Sequence, residues 1–178
     1  MKHVIHIYGA SGSGTSTLGR YIAAQTGFCW FDSDNFLWEP TDPPFTAKRP
    51  VKKRAELLRA QIESHENTVI SGSLTGWGDP VMPLFTLAIR LFVPSSVRRE
   101  RLLQRERERY GDRIDEGGDM RTIHLQFMEW AMQYDTGDVN IRSAAMHDAW
   151  EKRLTCPILM LDGTQPPEKN FKIIRQYL

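Results

Sequence analysis

Short apolar runs recur along the chain at 3–8, 28–31 (Phe-Cys-Trp-Phe), 68–71 (Thr-Val-Ile-Ser), 87–93 (Leu-Ala-Ile-Arg-Leu-Phe-Val) and 157–161 (Pro-Ile-Leu-Met-Leu), and they read as strands. Between them the spacing of apolar positions predicts helices over 15–26, 50–65, 95–109, 120–134, 140–153 and near 167–177. The first helix carries Leu18, Tyr21 and Ile22 on one face and meets Gly27, a natural left-handed stop. Strands alternating with helices predict a parallel sheet covered on both faces and wound right-handedly. In such sheets ligands bind beyond the carboxyl ends of the strands, so the residues after each strand are where chemistry is expected.

Composition narrows the picture only a little. The 178 residues suit one domain spanning 1–178. With 25% charged residues and a formal net charge of +1, bulk attraction to nucleic acid or membrane is not expected. No apolar run approaches the roughly 18 residues of a membrane helix, and the N-terminus does not look like a signal peptide. Cys29 and Cys156 have no metal-like spacing and sit in apolar runs. Reduced core thiols of a cytoplasmic protein are the expectation, with a disulfide as the other reading.

The first strand runs into "GASGSGTST", Gly9 to Thr17. The Walker A pattern G-x-x-x-x-G-K-[ST] fits with Gly9 and Gly14 as its glycines and Ser16 as its hydroxyl, but Thr15 stands where lysine belongs. Backbone N–H groups from Gly12 through Ser13, Gly14, Thr15, Ser16 and Thr17 can point at an anion, reinforced by the helix dipole. Ser16 is placed to ligate magnesium, and Thr17 to reach the α-phosphate side. A plain glycine-rich turn is the alternative.

After the second strand come Asp32-Ser33-Asp34. Two carboxylates at i and i+2 can face one cavity, one holding magnesium and the other taking a proton from an attacking hydroxyl. A helix cap or solvated turn would use the same residues. Asn35 to Phe45 brings Phe36, Trp38 and Phe45 among Pro40, Pro43 and Pro44, too proline-rich for a helix. It is either an aromatic cover over an acceptor or a small satellite core. Ser71 to Asp79 has three glycines that allow close backbone approach. Residues 98–113 carry seven arginines against Glu100, Glu106, Glu108 and Asp112. Arg98, Arg99 and Arg107 read as a solvated, ion-paired face, whereas Arg101 and Arg105, one turn apart, can reach into one cleft. The turn at Asp162-Gly163-Thr164 would lie beside the phosphate loop and could border a nucleobase.

These residues resemble the small P-loop kinases related to adenylate and shikimate kinases. "FDSDNFLWE" is similar to the D-[ST]-D segment of shikimate kinases, where the first Asp serves the metal and the second the acceptor hydroxyl. "VPSSVRRERLLQR" matches the adenylate kinase segment V-P-x₆-R-[IL]-x-x-R, whose arginines, here Arg101 and Arg105, lie at the base of the lid. Asp34, Trp38 and Pro40, with Glu116-Gly117-Gly118 and Phe127-Met128-Glu129-Trp130, are also similar to bacterial topology modulation or adenylate kinase-related proteins. The resemblance implies a P-loop NTPase α/β/α fold with a five-stranded parallel sheet of order 2-3-1-4-5 and a small helical lid. It implies ATP and Mg²⁺, and lid or acceptor-cover segments near 35–50 and 105–140.

The departure at Thr15 removes a charge without removing the cradle. Arg101, Arg105, Arg109 and Arg113 are candidates to replace it, since the transition state needs charge near the γ-phosphate rather than lysine as such. The sequence therefore supports an ATP-dependent phosphotransferase, a monomer or homodimer acting on a small-molecule or nucleotide acceptor. Two other classes stay open: a nucleotide-binding module without turnover, and nucleic-acid binding through Lys48, Arg49, Lys52, Lys53 and Arg54 with the arginine helix.

Overall fold

The computed structural model describes residues 2–42 and 44–178. Pro43, counted above in the proline-rich cover, lies outside the described residues. Five strands, β1 (Val4–Gly9), β2 (Cys29–Asp32), β3 (Thr68–Ser71), β4 (Leu87–Phe92) and β5 (Ile158–Asp162), form one parallel sheet of order β2-β3-β1-β4-β5. The helices are α1 (Thr15–Thr26), α2 (Asp34–Leu37), α3 (Val51–Ser64), α4 (Ser95–Tyr110), α5 (Arg121–Met132), α6 (Ala144–Glu151) and α7 (Pro167–Ile174).

The strand β1 is central and buried along its whole length, and its alternating side chains feed two cores. Ile5 and Ile7 pack with Leu18 and Ile22 of α1, Ile89 and Leu91 of β4, and Ile174 of α7. Val4 and Tyr8 pack on the other face with Leu58 and Ile62 of α3, Trp77, Phe85 and Trp150 of α6. Apolar burial on both faces is what a strand covered by crossover helices requires. A third, small cluster of Leu102, Met128 and Ala131 joins α4 to α5.

Helix α1 stops as expected: Gly27 has φ 75° and its N–H donates to the Ala23 carbonyl at 2.8 Å. The last long helix stretch is shorter than its pattern, because Ser143 caps α6 by accepting the Met146 N–H at 3.0 Å. Two features escaped the pattern. Asp34–Leu37 forms one helical turn despite the prolines that follow, and Asp79–Leu84 forms a 3₁₀ turn. The segment after α2 is tied down by an antiparallel bridge, Trp38 to Lys48, and by Arg49, which donates to the carbonyls of Asn35 and Phe36 at 2.8 and 3.0 Å. Both cysteines are free. They are half-buried rather than fully in the core: Cys156 packs against its edge just ahead of β5, and Cys29 lies in the edge strand β2. No helix among the described residues is long and apolar enough to cross a membrane.

The arginine helix departs from its solvated reading at one place. Arg98 is fully buried: its Nε donates to the Val93 carbonyl at 3.0 Å, its Nη2 pairs with Asp135, and its guanidinium lies over the Tyr134 ring. The helix turns this position inward toward the loop after β4, so charge alone misled. Arg107 does lie on the exposed face, paired with Asp115 at 2.6 Å.

Candidate active site

The glycine loop between β1 and α1 is built on two left-handed residues, Gly12 (φ 81°) and Gly14 (φ 92°). A Cβ on Gly12 would meet the Arg98 carbonyl at 2.9 Å, so both conformation and space require glycine there. The first intrahelical bond of α1 is Leu18 N–H to the Gly14 carbonyl. The amides of Thr15, Ser16 and Thr17 precede it and stay available to an anion. Ser13 is buried, and its Oγ has no hydrogen-bond partner among the described residues. An orphaned buried hydroxyl inside an amide cradle fits a phosphate-bearing ligand.

The chain crossing from β1 to β2 brings the second element of the site beside the first. Ser16 Oγ donates to Asp32 Oδ2 at 2.8 Å, and the Asp34 N–H donates to Asp32 Oδ1 at 3.0 Å. A hydroxyl and a carboxylate in contact at the mouth of a phosphate loop fit a magnesium ion whose other ligands are phosphate oxygens and water. No group of three or more His, Cys, Asp or Glu side chains placed for a metal occurs among the described residues. Burial, and next the neighbouring Asp32 charge, raise the Asp34 carboxyl above the ordinary range, while Arg142 and Arg105 pull it back. A raised carboxylate is a better proton acceptor than a solvated one.

Two cavities flank this centre. The smaller, about 270 Å³, lies over the loop between Thr17, Arg101, Gly163, Gln165 and Asn170. The larger, about 690 Å³, lies beyond Asp34. Its walls come from the α2 segment (Trp38, Phe45), the loop after β3 (Ser73, Thr75), α4 (Arg105, Arg109), α5 (Phe127, Trp130) and Arg142. The aromatic segment therefore divides its labour. Phe36 is buried in the core, while Trp38 and Phe45 face the cavity.

The structure separates Arg101 from Arg105. Arg101 Nη1 donates to the carbonyls of Gly163 and Gly12 at 3.1 and 3.3 Å and faces the smaller cavity, whereas Arg105 faces the larger one. Gly163 borders the smaller cavity, but Thr164 turns away, its N–H and hydroxyl both donating to Asp162 Oδ1 at 2.8 and 2.6 Å. Among the other candidate cations, Arg109 lies over Phe45 at 4.8 Å, and Arg113 pairs with Asp119 on the outside. Of the basic cluster, Arg49 is spent on the loop backbone, while Lys48 and Arg54 line the larger cavity.

Arg142 was missed. It belongs to no motif and lies just before α6, so only tertiary structure brings it to the site. Its Nη2 donates to Ser11 Oγ in the glycine loop at 2.8 Å, and its guanidinium stacks on Trp130 at 4.5 Å. Its positive charge favours the ionised Asp34 more than that of Arg105 does, and it is one of the cationic walls of the larger cavity.

A parallel sheet of this order with a glycine loop after β1 and a helical cover defines the fold of the small P-loop kinases. The AAA_18 family model, an AAA domain, matches residues 5–124, and the chain belongs to that family. It is 39% identical over 178 residues to the uncharacterized protein YqaC of Bacillus subtilis (strain 168), covering 100% of this chain and 98% of that one. Among solved structures it is similar to a shikimate kinase from Bacteroides thetaiotaomicron (TM-score 0.59, 14% identity, 98% of this chain and 97% of that one). It is also similar to a gluconokinase from Sinorhizobium meliloti 1021 (TM-score 0.53, 20% identity, 99% and 89%). At these identities the two structures speak for the fold.

Proposed function

We propose that the protein is an ATP-dependent phosphotransferase that moves the γ-phosphate of ATP to a small-molecule or nucleotide acceptor held in the larger cavity. The observation that carries this is the juxtaposition of Ser16, Asp32 and Asp34 at the point where the glycine loop opens into that cavity. Residues 12–17 would hold the phosphates of ATP. Ser16 and Asp32 would hold Mg²⁺, which supplies charge neutralisation for the transferred group. Asp34 orients the acceptor hydroxyl and takes its proton.

The cation absent at position 15 is supplied in this reading from the walls of the larger cavity, by Arg142 with Arg105. Arg142 is already braced by Trp130 and by the loop itself, which leaves little side-chain freedom to lose on binding. Arg101 clamps the glycine loop to the turn after β5, and so positions the nucleotide rather than the acceptor.

ADP formation from ATP and Mg²⁺ across a panel of sugars, sugar acids, nucleosides and nucleoside monophosphates tests the reading. Acceptor-dependent ADP formation is expected. ADP binding without acceptor-dependent turnover across the panel would instead favour a nucleotide-binding module.

A further inference from the structure

One wall of the larger cavity is the end of a buried polar chain that the phosphoryl chemistry does not use. Arg90 of β4 is fixed by Asp148 and Glu151 of α6 at 2.5 and 2.7 Å. Its Nη2 lies 3.5 Å from the Tyr134 hydroxyl, which lies 2.7 Å from His147 Nδ1. His147 Nε2 lies 3.0 Å from Ser73 Oγ, and Ser73 Oγ lies 2.9 Å from Thr75 Oγ1. Ser73 and Thr75 both face the cavity.

We propose that Ser73 and Thr75 form an oxyanion-binding subsite of this cavity, presenting a hydroxyl donor whose direction is set by Arg90 through Tyr134 and His147. It rests on the reading of the larger cavity as the acceptor site, and its ligand is a carboxylate or phosphate oxygen of the acceptor.

Proton counting gives the direction. A guanidinium only donates, so the Tyr134 oxygen is on the accepting side of Arg90. The phenol proton then has one acceptor among the described residues, Nδ1 of His147. A neutral His147 that accepts at Nδ1 carries its proton on Nε2 and donates to Ser73. Ser73 and Thr75 have two hydroxyl protons and need one for their mutual bond, so one is left for the cavity. In the opposite direction Nδ1–H would point at the phenol oxygen, and the phenol proton would face Arg90 with no acceptor. Both hydroxyl protons would then be used internally, and the cavity would meet only lone pairs. Leaving a buried donor unanswered beside a cation is the costlier arrangement.

His147 is neutral as this requires: burial, followed by the charges of Arg90 and Arg142, pushes its pKa down to about 3. The rest of the cavity wants the same ligand. Lys48, Arg54, Arg105, Arg109 and Arg142 line it against Asp34 and Glu106, and Glu106 already has Arg105 and Arg109 at 3.9 and 4.0 Å.

The ring nitrogens of His147, read by long-range ¹H–¹⁵N NMR on the full chain without nucleotide, test the direction. Protonation on Nε2 alone near neutral pH is expected, and an Nδ1–H tautomer would overturn the proposal. Titration with inorganic phosphate, and separately with acetate, tests the subsite. Saturable shifts of the His147 ring and the Thr75 amide are expected, and which anion binds tighter separates phosphate from carboxylate recognition. Binding confined to the amides of residues 12–17, or no saturable shift, would overturn the subsite. The pair S73A/T75V should weaken binding at His147 by about ten- to a hundredfold, the scale of one donor to a charged oxygen, while T75S retains it. Unchanged affinity in S73A/T75V would also overturn it. None of these readings needs turnover, so an inert protein with the expected tautomer and anion binding would sink the kinase reading alone.

Discussion

Asp34 sits between opposing influences. The fold buries it beside Asp32, and both effects raise its pKa, while Arg142 and Arg105 favour its charged form. Between the ordinary carboxylate range and the raised value, the folded chain holds a proton that the unfolded chain has lost. Stability therefore falls as pH rises through that window, and the ionised carboxylate is a net cost at neutral pH. Asp34→Asn should thus do two things at once. It should lower phosphoryl transfer at least about 10²-fold, as loss of a positioned base does, and raise the thermal midpoint at pH 7. Scanning calorimetry beside the turnover assay reads both, and a destabilised variant with full turnover would remove Asp34 from this role. Arg105 and Arg107 make a matched pair on one helix. Arg105→Ala should impair transfer well beyond Arg107→Ala, because Arg105 lines the cavity and Arg107 is engaged outside with Asp115. Equal turnover in the two variants would mean that α4 acts only through its general charge.

Helix α4 shows at the scale of one element what a charge pattern can and cannot say. Its length follows from sequence spacing, but its exposed ion pairs do not, because Arg107 pairs with Asp112 and Asp115 in the turn beyond the helix rather than with neighbours three and four residues away. Which arginine turns inward depends on the Val93 carbonyl, Asp135 and Tyr134, which lie outside the helix and were invisible to that spacing. The same limit hid Arg142 and the chain ending at Ser73, both assembled from distant segments. The glycine loop and the Asp32–Asp34 pair were legible because each is local and follows a strand. Arg98→Ala should destabilise the fold by about 2–5 kcal/mol, since it empties a fully buried side-chain site and strips the Val93 carbonyl of its donor, while Asp135 stays exposed to water, and urea unfolding measures it. A loss under about 1 kcal/mol would mean that the emptied site collapses and that water reaches the Val93 carbonyl.

Over the whole molecule, the five strands were readable because each apolar run is short and bounded by loop signals, whereas their order came only from the resemblance to the small P-loop kinases, since which strands pair depends on tertiary contacts. That sheet buries two histidines, His6 in β1 and His147 in α6. Burial pushes His6 to about 4, against the pull of its bond to the Gly72 carbonyl, and His147 to about 3. The unfolded chain protonates both below about pH 6.5 while the folded chain does not, so stability is lost as pH falls from there toward 4. Each contributes at most about 1.4 kcal/mol per pH unit in that window. His6→Asn should flatten the slope of stability against pH between 6 and 4.5 by about one such step, measured by urea unfolding at each pH. An unchanged slope would show that His6 is protonated inside the fold.

With threonine at position 15, the phosphate cation must come from elsewhere in the fold. Arg142 reaches the loop at Ser11 and influences Asp34, so the site already carries a positive charge on the side facing the acceptor. The rate of acceptor-dependent ADP formation by Thr15→Lys, relative to the unaltered protein, tests this most directly. The substitution should fold normally and bring little gain or a loss, because its ammonium competes with a guanidinium already in place. A rise of about 10²-fold or more, the size of a restored transition-state donor, would show that the loop lacked its cation and that Arg142 does not supply it.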